Sequence, residues 1–138
     1  MAQSIERKNI QDYFNKTPGN AVCVPFWKIN YLNKRVNWKG KIFSMEYQKD
    51  FNRTEITMKI LPETIMYDTV VYVPGNIKDK FNIREEVPFT GRIIKGVDLL
   101  GVKEVEVYIG KSPGDSFGNY IFPDENMIDV NFLQPKNR

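Results

Sequence analysis

Apolar side chains recur along this chain with two different periods, and the switch between them divides it. Residues 4 to 14 place Ile5, Ile10, Tyr13 and Phe14 on roughly one stripe behind Ser4, a favourable N-cap, which predicts a short helix. Thr17-Pro18-Gly19-Asn20 supplies the turn chemistry that ends it. From Val36 the period becomes two. Val36, Trp38, Gly40 and Ile42 fall on one side of a strand, with Asn37, Lys39 and Lys41 on the other. Gln48 to Thr54 is polar and breaks the pattern. Ile56, Met58 and Ile60 then alternate with Glu55, Thr57 and Lys59 until Pro62 stops the run, giving a second strand. Thr69-Val70-Val71-Tyr72-Val73, bounded by Pro74-Gly75, is a third. Asn76 can cap a helical turn through Ile77 and Phe81. Val87-Pro88-Phe89-Thr90-Gly91-Arg92-Ile93 follows as a fourth strand, and Val105, Val107 and Ile109 alternate with Glu104, Glu106 and Tyr108 as a fifth. The segment Lys95 to Gly101, with two glycines, is expected to connect these last two as a hairpin. Lys111 to Asn119 reads as loop, and Ile128, Val130 and Phe132 as one further strand before a polar end.

The fourth strand repeats the first in the form Val-x-aromatic-x-Gly-x-Ile, 51 residues later. Glycine inside a strand has no side chain to pack and more entropy to lose, so Gly40 and Gly91 at matched apolar positions point to curvature or close backbone approach. Five short strands close on themselves only if some of them bend sharply. The order strand, strand, strand, short helix, strand, strand, together with Val36-x-Trp38-x-Gly40-x-Ile42 and Val87-x-Phe89-x-Gly91-x-Ile93, resembles the OB-fold, a five-stranded Greek-key barrel. The Val-x-Trp-x-Gly strand and the later Val-Pro-Phe strand are also similar to the OB-like C-terminal domain of wolframin-type proteins, whose cysteine-rich character is absent here. The resemblance implies a mainly β chain forming a single domain. Residues 1–35 would be a helix and extended lead-in, 36–110 the barrel, and 111–138 a C-terminal extension of loop plus extra strand packed on it. A β-sandwich or another small barrel with chance bulges at Gly40 and Gly91 is the alternative.

In the OB family, ligands meet the outer face of the second and third strands and the flanking loops. The corresponding outward positions here are Lys39, Lys41, Phe43, Thr57, Lys59 and Tyr72, to which the first connecting loop adds Lys49, Phe51 and Arg53. Basic groups interleaved with aromatics suit single-stranded DNA or RNA, because cations neutralise phosphates and rings stack on bases. Glu104 and Glu106 on strand five, and Glu46 and Asp50 beside the loop, oppose that reading. Lysines on a solvated strand face also have a plain role in solubility. Trp38 and Phe89 share a face with aliphatic residues and belong to the core. The flanking segments carry Phe14, Phe26, Trp27, Tyr31, Phe117, Tyr120, Phe122 and Phe132, which either complete the domain's own core or anchor it to another protein.

Composition removes most chemistry. The 138 residues contain no histidine and one cysteine, so no zinc or haem motif and no Ser-His or Cys-His pairing can be assembled. Glycine-rich phosphate loops and a Gly-x-Ser-x-Gly elbow are missing, and the adjacent carboxylates Glu85-Glu86 and Asp124-Glu125 would point to opposite faces of a strand. A net charge of +3 permits an acidic partner without requiring one. Cys23, in an apolar run, reads as a small buried hydrophobe, and an unpaired thiol fits an intracellular, reducing compartment. No apolar stretch is long enough to span a bilayer. The expectation is a non-catalytic module without cofactor or metal, acting through protein partners in a larger complex. Single-stranded nucleic-acid binding is the alternative.

Overall fold

The computed structural model describes residues 5–17, 21–99 and 102–109. Two helices, α1 (Arg7–Lys16) and α2 (Pro25–Asn30), precede five strands: β1 (Arg35–Gln48), β2 (Arg53–Lys59), β3 (Thr69–Pro74), β4 (Glu86–Leu99) and β5 (Val102–Tyr108). Single 3₁₀ turns lie at Lys49–Phe51 and Lys78–Lys80. The strands form one mixed sheet that closes in a ring in the order β1-β2-β3-β5-β4. Four seams are antiparallel and the β3–β5 seam is parallel, running from Thr69 opposite Val105 to Tyr72 opposite Tyr108. This arrangement is compatible with an OB-like fold.

The alternation in the sequence sorts side chains as expected. Val36, Trp38 and Ile42 of β1, Ile56 and Met58 of β2, Val71 and Val73 of β3, Val87, Phe89 and Ile93 of β4 and Val105 and Val107 of β5 are all buried in one core. Trp38 meets Phe89 edge to face, and its indole N–H donates to the Ile5 carbonyl at 2.7 Å, which ties the N-terminal lead-in to the ring. Gly40 and Gly91 both lie mid-strand on the inner side. A Cβ on Gly91 would stand 2.6 Å from Val107 Cγ1 and 2.7 Å from the Tyr108 carbonyl oxygen. One on Gly40 would meet the Met58 thioether at 2.9 Å.

Several expectations need correction. The first helix begins at Arg7 behind Glu6, whose N–H donates to Asn9 Oδ1 at 2.8 Å, and not behind Ser4, which falls outside the described residues. The lead-in contains a second helix, α2, with Pro25 in its first turn, where a missing N–H does no harm. β1 and β4 run to 14 residues each, well past Ile42 and Ile93. Register shifts between Ile42 and Ser44 and between Ile93 and Lys95 let both strands bend and continue, so Lys95 to Leu99 belongs to β4 rather than to a hairpin connection. Gly96 makes room for the Trp27 indole, which would lie 2.6 Å from an added Cβ. Cys23 is exposed, because the apolar residues around it turn inward through Ala21 and Trp27 instead. The expected turn at Pro18–Asn20, the loop after Gly110 and the strand at Ile128–Phe132 lie outside the described residues.

Among the described residues, two of the flanking aromatics, Phe14 and Trp27, go to the domain's own core, and Phe117, Tyr120, Phe122 and Phe132 lie outside the described residues. Phe14 and Trp27 are buried against each other at 5.7 Å, and Tyr13, Phe26 and Tyr31 extend the cluster outward. Arg7 is unexpectedly buried, only 1% exposed. Its guanidinium donates to the carbonyls of Asp68 and Lys103 at 3.1 and 3.2 Å and lies 3.9 Å from the Asp68 carboxylate. Burial pulls its pKa down to about 10 against the opposing pull of Asp68.

Candidate functional site

The inward positions of the ring are taken up by the buried core. The nine expected surface residues do not form one face but divide among separate places. Lys39 is spent in an exposed ion pair with Glu86 at 2.9 Å, which holds that carboxyl below its ordinary pKa through the hydrogen bond and charge of Lys39. Lys49 is exposed in the turn between β1 and β2. Thr57 points outward but is buried, its hydroxyl bonded to that of Ser44 across the β1–β2 seam.

Phe51, Arg53 and Tyr72 come together. The Arg53 guanidinium lies 4.0 Å from the Tyr72 ring centroid and 4.5 Å from that of Phe51, and its Nε donates to Gln48 Oε1 at 2.6 Å. A cation so placed gains from both ring faces. Tyr72 is stacked beside Tyr108 at 5.9 Å, and with Val70 the pair forms a small second cluster on the outside of the ring, against which Tyr67 and Ile94 pack.

Carboxylates surround this cluster. Glu46 faces Glu55 across the β1–β2 seam, Glu55 faces Tyr72 across β2–β3, and Val70 faces Glu106 across β3–β5. The Glu55 carboxyl is pushed above its ordinary range by partial burial and by Glu46 and Glu106, against the pull of Arg53 and Gln48. Glu104 is pushed up too, by partial burial and by Glu106 and Glu55, although a hydrogen bond from Tyr67 and the charge of Arg7 oppose the shift. Burial and the charges of Glu106 and Glu55 raise the Tyr72 hydroxyl, so it stays protonated and donates to Glu106. The outer surface of β2, β3 and β5 is therefore acidic and tyrosine-rich.

Lys41, Phe43 and Lys59 gather in a different place. With Ile42, Ile65, Met66, Ile83 and Arg84 they line a groove of about 450 Å³. Lys41 and Lys59 stand opposite each other in the β1–β2 register. The register shift after Ile42 turns Phe43 outward beside Tyr67 at 5.8 Å. On the far wall, the Arg84 N–H donates to the Ile42 carbonyl at 2.7 Å and the Ile42 N–H to the Glu85 carbonyl at 2.9 Å. Ile65 is 94% exposed, and Phe43, Met66 and Ile83 are also exposed. Sequence reasoning missed Ile65, Met66, Ile83 and Arg84, which sit in connections with no periodicity to mark a face. Pro62 and the polar Asn82 to Glu86 stretch were the available signals, and they mark only loops.

Among the described residues, no group of three or more Cys, Asp and Glu side chains is arranged to hold a metal ion, and no helix is long and apolar enough to cross a membrane. No protein-family model, no curated protein and no solved structure matches this chain.

Proposed function

We propose that the chain is a non-catalytic OB-like binding module that works through contact with another protein, as an accessory or assembly subunit of a larger complex. The observation that carries this reading is the collection of four exposed large apolar side chains, Phe43, Ile65, Met66 and Ile83, around one concave groove. Scattered apolar residues are ordinary on a protein surface, whereas a gathered set with polar margins is the composition of an interface. The face that the OB resemblance assigns to nucleic acid supports the same reading by its charge. Glu46, Glu55, Glu104 and Glu106 would repel a phosphate backbone, and Arg53 is already sandwiched between two rings.

A second reading, single-stranded DNA or RNA binding, draws on Lys41, Lys59 and Arg84 grouped beside the Phe43 ring. Fluorescence anisotropy with a labelled oligothymidylate decides between the two. The protein-contact reading expects no binding at low salt. Micromolar binding that weakens steeply with salt and disappears in a Lys41→Glu/Arg53→Glu/Lys59→Glu variant would replace it with the nucleic-acid reading.

A further inference from the structure

We infer that the groove between the β1–β2 seam and the Ile83–Arg84 turn receives an acidic polypeptide segment bearing apolar side chains, supplied by a partner protein. This rests on the binding-module reading and names the chemistry of its partner. The groove brings exposed apolar side chains, Phe43, Ile65, Met66 and Ile83, together with three cations. Lys41, Lys59 and Arg84 line it, and among the described residues none of the three has a carboxylate within ion-pair distance. Glu86, the carboxyl nearest in effect to Lys41, is held by Lys39. Lys59 and Arg84, together with Lys41, which shares the charge of Glu86 with Lys39, stand beside exposed apolar side chains and complement a segment carrying Asp or Glu between apolar side chains.

The walls are positioned for this. Arg84 is a non-glycine residue at a φ of +73°, a left-handed conformation that side chains disfavour, and its own N–H bond to the Ile42 carbonyl and the Ile42 N–H bond to the neighbouring Glu85 carbonyl hold the turn to β1. Those bonds fix the spacing between the Ile83–Arg84 turn and β1, and so the width of the groove.

The floor discriminates among acidic ligands. Among the described residues Phe43 is the one ring lining the groove, whereas Ile65, Met66 and Ile83 have no π face for a base to stack on, and Met66 adapts to varied side-chain shapes. A concavity of about 450 Å³ suits inserted side chains more than the flat surface of an anionic bilayer.

The test is anisotropy of the full chain with a labelled synthetic peptide of about twelve residues built from Asp, Glu, Leu and Phe, at about 50 mM salt. Saturable binding with a Kd on the order of 10 µM is expected. It should weaken about tenfold in Lys41→Glu/Lys59→Glu and in Met66→Ser/Ile83→Ser, and when Ser replaces Leu and Phe in the peptide. All four protein positions are at least partly exposed, and unchanged thermal melts would show that the variants fold. No binding at about 1 mM peptide, or binding by both variants as tight as that of the parent protein, overturns the assignment. So does tighter binding of oligothymidylate or of phosphatidylserine vesicles than of the peptide. Residues 112–135 of this chain contain Asp115, Asp124, Glu125 and Asp129 and no Lys or Arg. If Asp124→Lys/Glu125→Lys/Asp129→Lys raises peptide affinity about tenfold, the groove is filled from within the chain and the partner assignment falls. Failure of the peptide together with failure of oligothymidylate removes this groove while leaving the binding-module reading intact. Salt-sensitive oligothymidylate binding removes that reading itself.

Discussion

Replacing Gly91 by alanine puts a methyl group where the ring closes. The new carbon would lie 2.6 Å from Val107 Cγ1 and 2.7 Å from the Tyr108 carbonyl oxygen, well inside the roughly 3.5 Å at which carbon contacts become favourable. Val107 can rotate only into a packed core, and the carbonyl moves only with the β5 backbone. That backbone is fixed on its other side, since the next residue, Ile109, donates its N–H to the Tyr72 carbonyl at 2.8 Å. Relief therefore strains the β3–β5 seam, which has four paired positions. Overpacking of this kind costs about 1–3 kcal/mol, and a backbone obstacle places Gly91→Ala near the top of that range. The smaller entropy of the unfolded alanine chain returns about 0.4–1 kcal/mol, so the net loss should be about 2 kcal/mol. Gly40→Ala supplies the contrast. Its obstacles are the Met58 thioether at 2.9 Å, which can swing aside, and Ile60 Cγ1 and Met58 Cβ at 3.0 Å, which need a small shift but no movement of a backbone carbonyl, so its cost should be about 1 kcal/mol. Urea denaturation followed by circular dichroism reads both, and with a slope of about 2 kcal/mol/M the Gly91 variant should lose about 1 M in midpoint. In a double-mutant cycle, Val107→Ala should cost less in the Gly91→Ala background than alone, because it removes one of the two clashes. Equal losses at Gly40 and Gly91, or a midpoint unchanged by Gly91→Ala, would refute the idea that backbone approach at β4–β5 sets the need for glycine.

The buried Arg7–Asp68 pair should respond unequally to loss of its two members. Asp68 also accepts from the N–H groups of Ile60 and Leu61 and from the Thr69 hydroxyl, so Asp68→Ala strands three donors, takes the nearest counter-charge from a buried guanidinium that keeps its backbone acceptors, and should cost about 3–5 kcal/mol. Arg7→Met leaves Asp68 with those donors and should cost about 1–3 kcal/mol by the same urea assay, and the reverse order would show the ranking wrong. Stability should also fall as pH rises through the raised carboxyls. Glu55 and Glu104 hold their protons to higher pH folded than unfolded, so stability is greatest below the ordinary carboxylate pKa and declines until the raised values are passed. Glu86, held low by Lys39, acts with the opposite sign at more acidic pH, below that window. Thermal melts at about pH 5 and 7 should show that Glu55→Gln/Glu104→Gln raises the melting temperature at the higher pH and flattens the slope; a slope identical to that of the parent protein would contradict the carboxylate crowding.

The first, second and fifth strands were legible because they alternate, the direct imprint of one face on a core, and the third because Thr69–Val73 is a β-branched and aromatic run closed by Pro74-Gly75. Val36 to Ile42, Ile56 to Ile60 and Val105 to Ile109 carry the alternation without interruption. What escaped was everything a bulge displaces. Ile42-Phe43-Ser44 and Ile93-Ile94-Lys95 each break the alternation by one residue, so β1 and β4 looked finished where they only bend, and the connection expected at Lys95 is the second half of a strand. Helix α2 has six residues, too few to display a helical period, and Pro25 at its start was the signal present. Arg7 could not be read as buried, since its partner Asp68 lies 61 residues away and its helix otherwise exposes its charged positions. For the binding surface, the sequence held the residue types but not their division. Lys41, Phe43 and Lys59 separate from Arg53 and Tyr72 only through strand register and the 83–84 turn.

That division follows from closing a ring with few strands. Once the inward positions are filled by branched and aromatic side chains, strands of high β-propensity still carry large residues outward, and at Val70, Tyr72 and Tyr108 these pack against one another on the outside. Such a cluster partly excludes water, so charges at its edge are driven toward their neutral forms or into ring contacts, as Glu55, Glu104 and Arg53 are. The cations that remain available are those placed away from the cluster, and Lys41 and Lys59 are such a pair, facing each other at the opposite end of the β1–β2 seam. Under the proposed reading an anionic partner would be drawn to the groove and away from the β2–β3 face, and the apolar residues beside those cations would favour a partner that can insert side chains of its own.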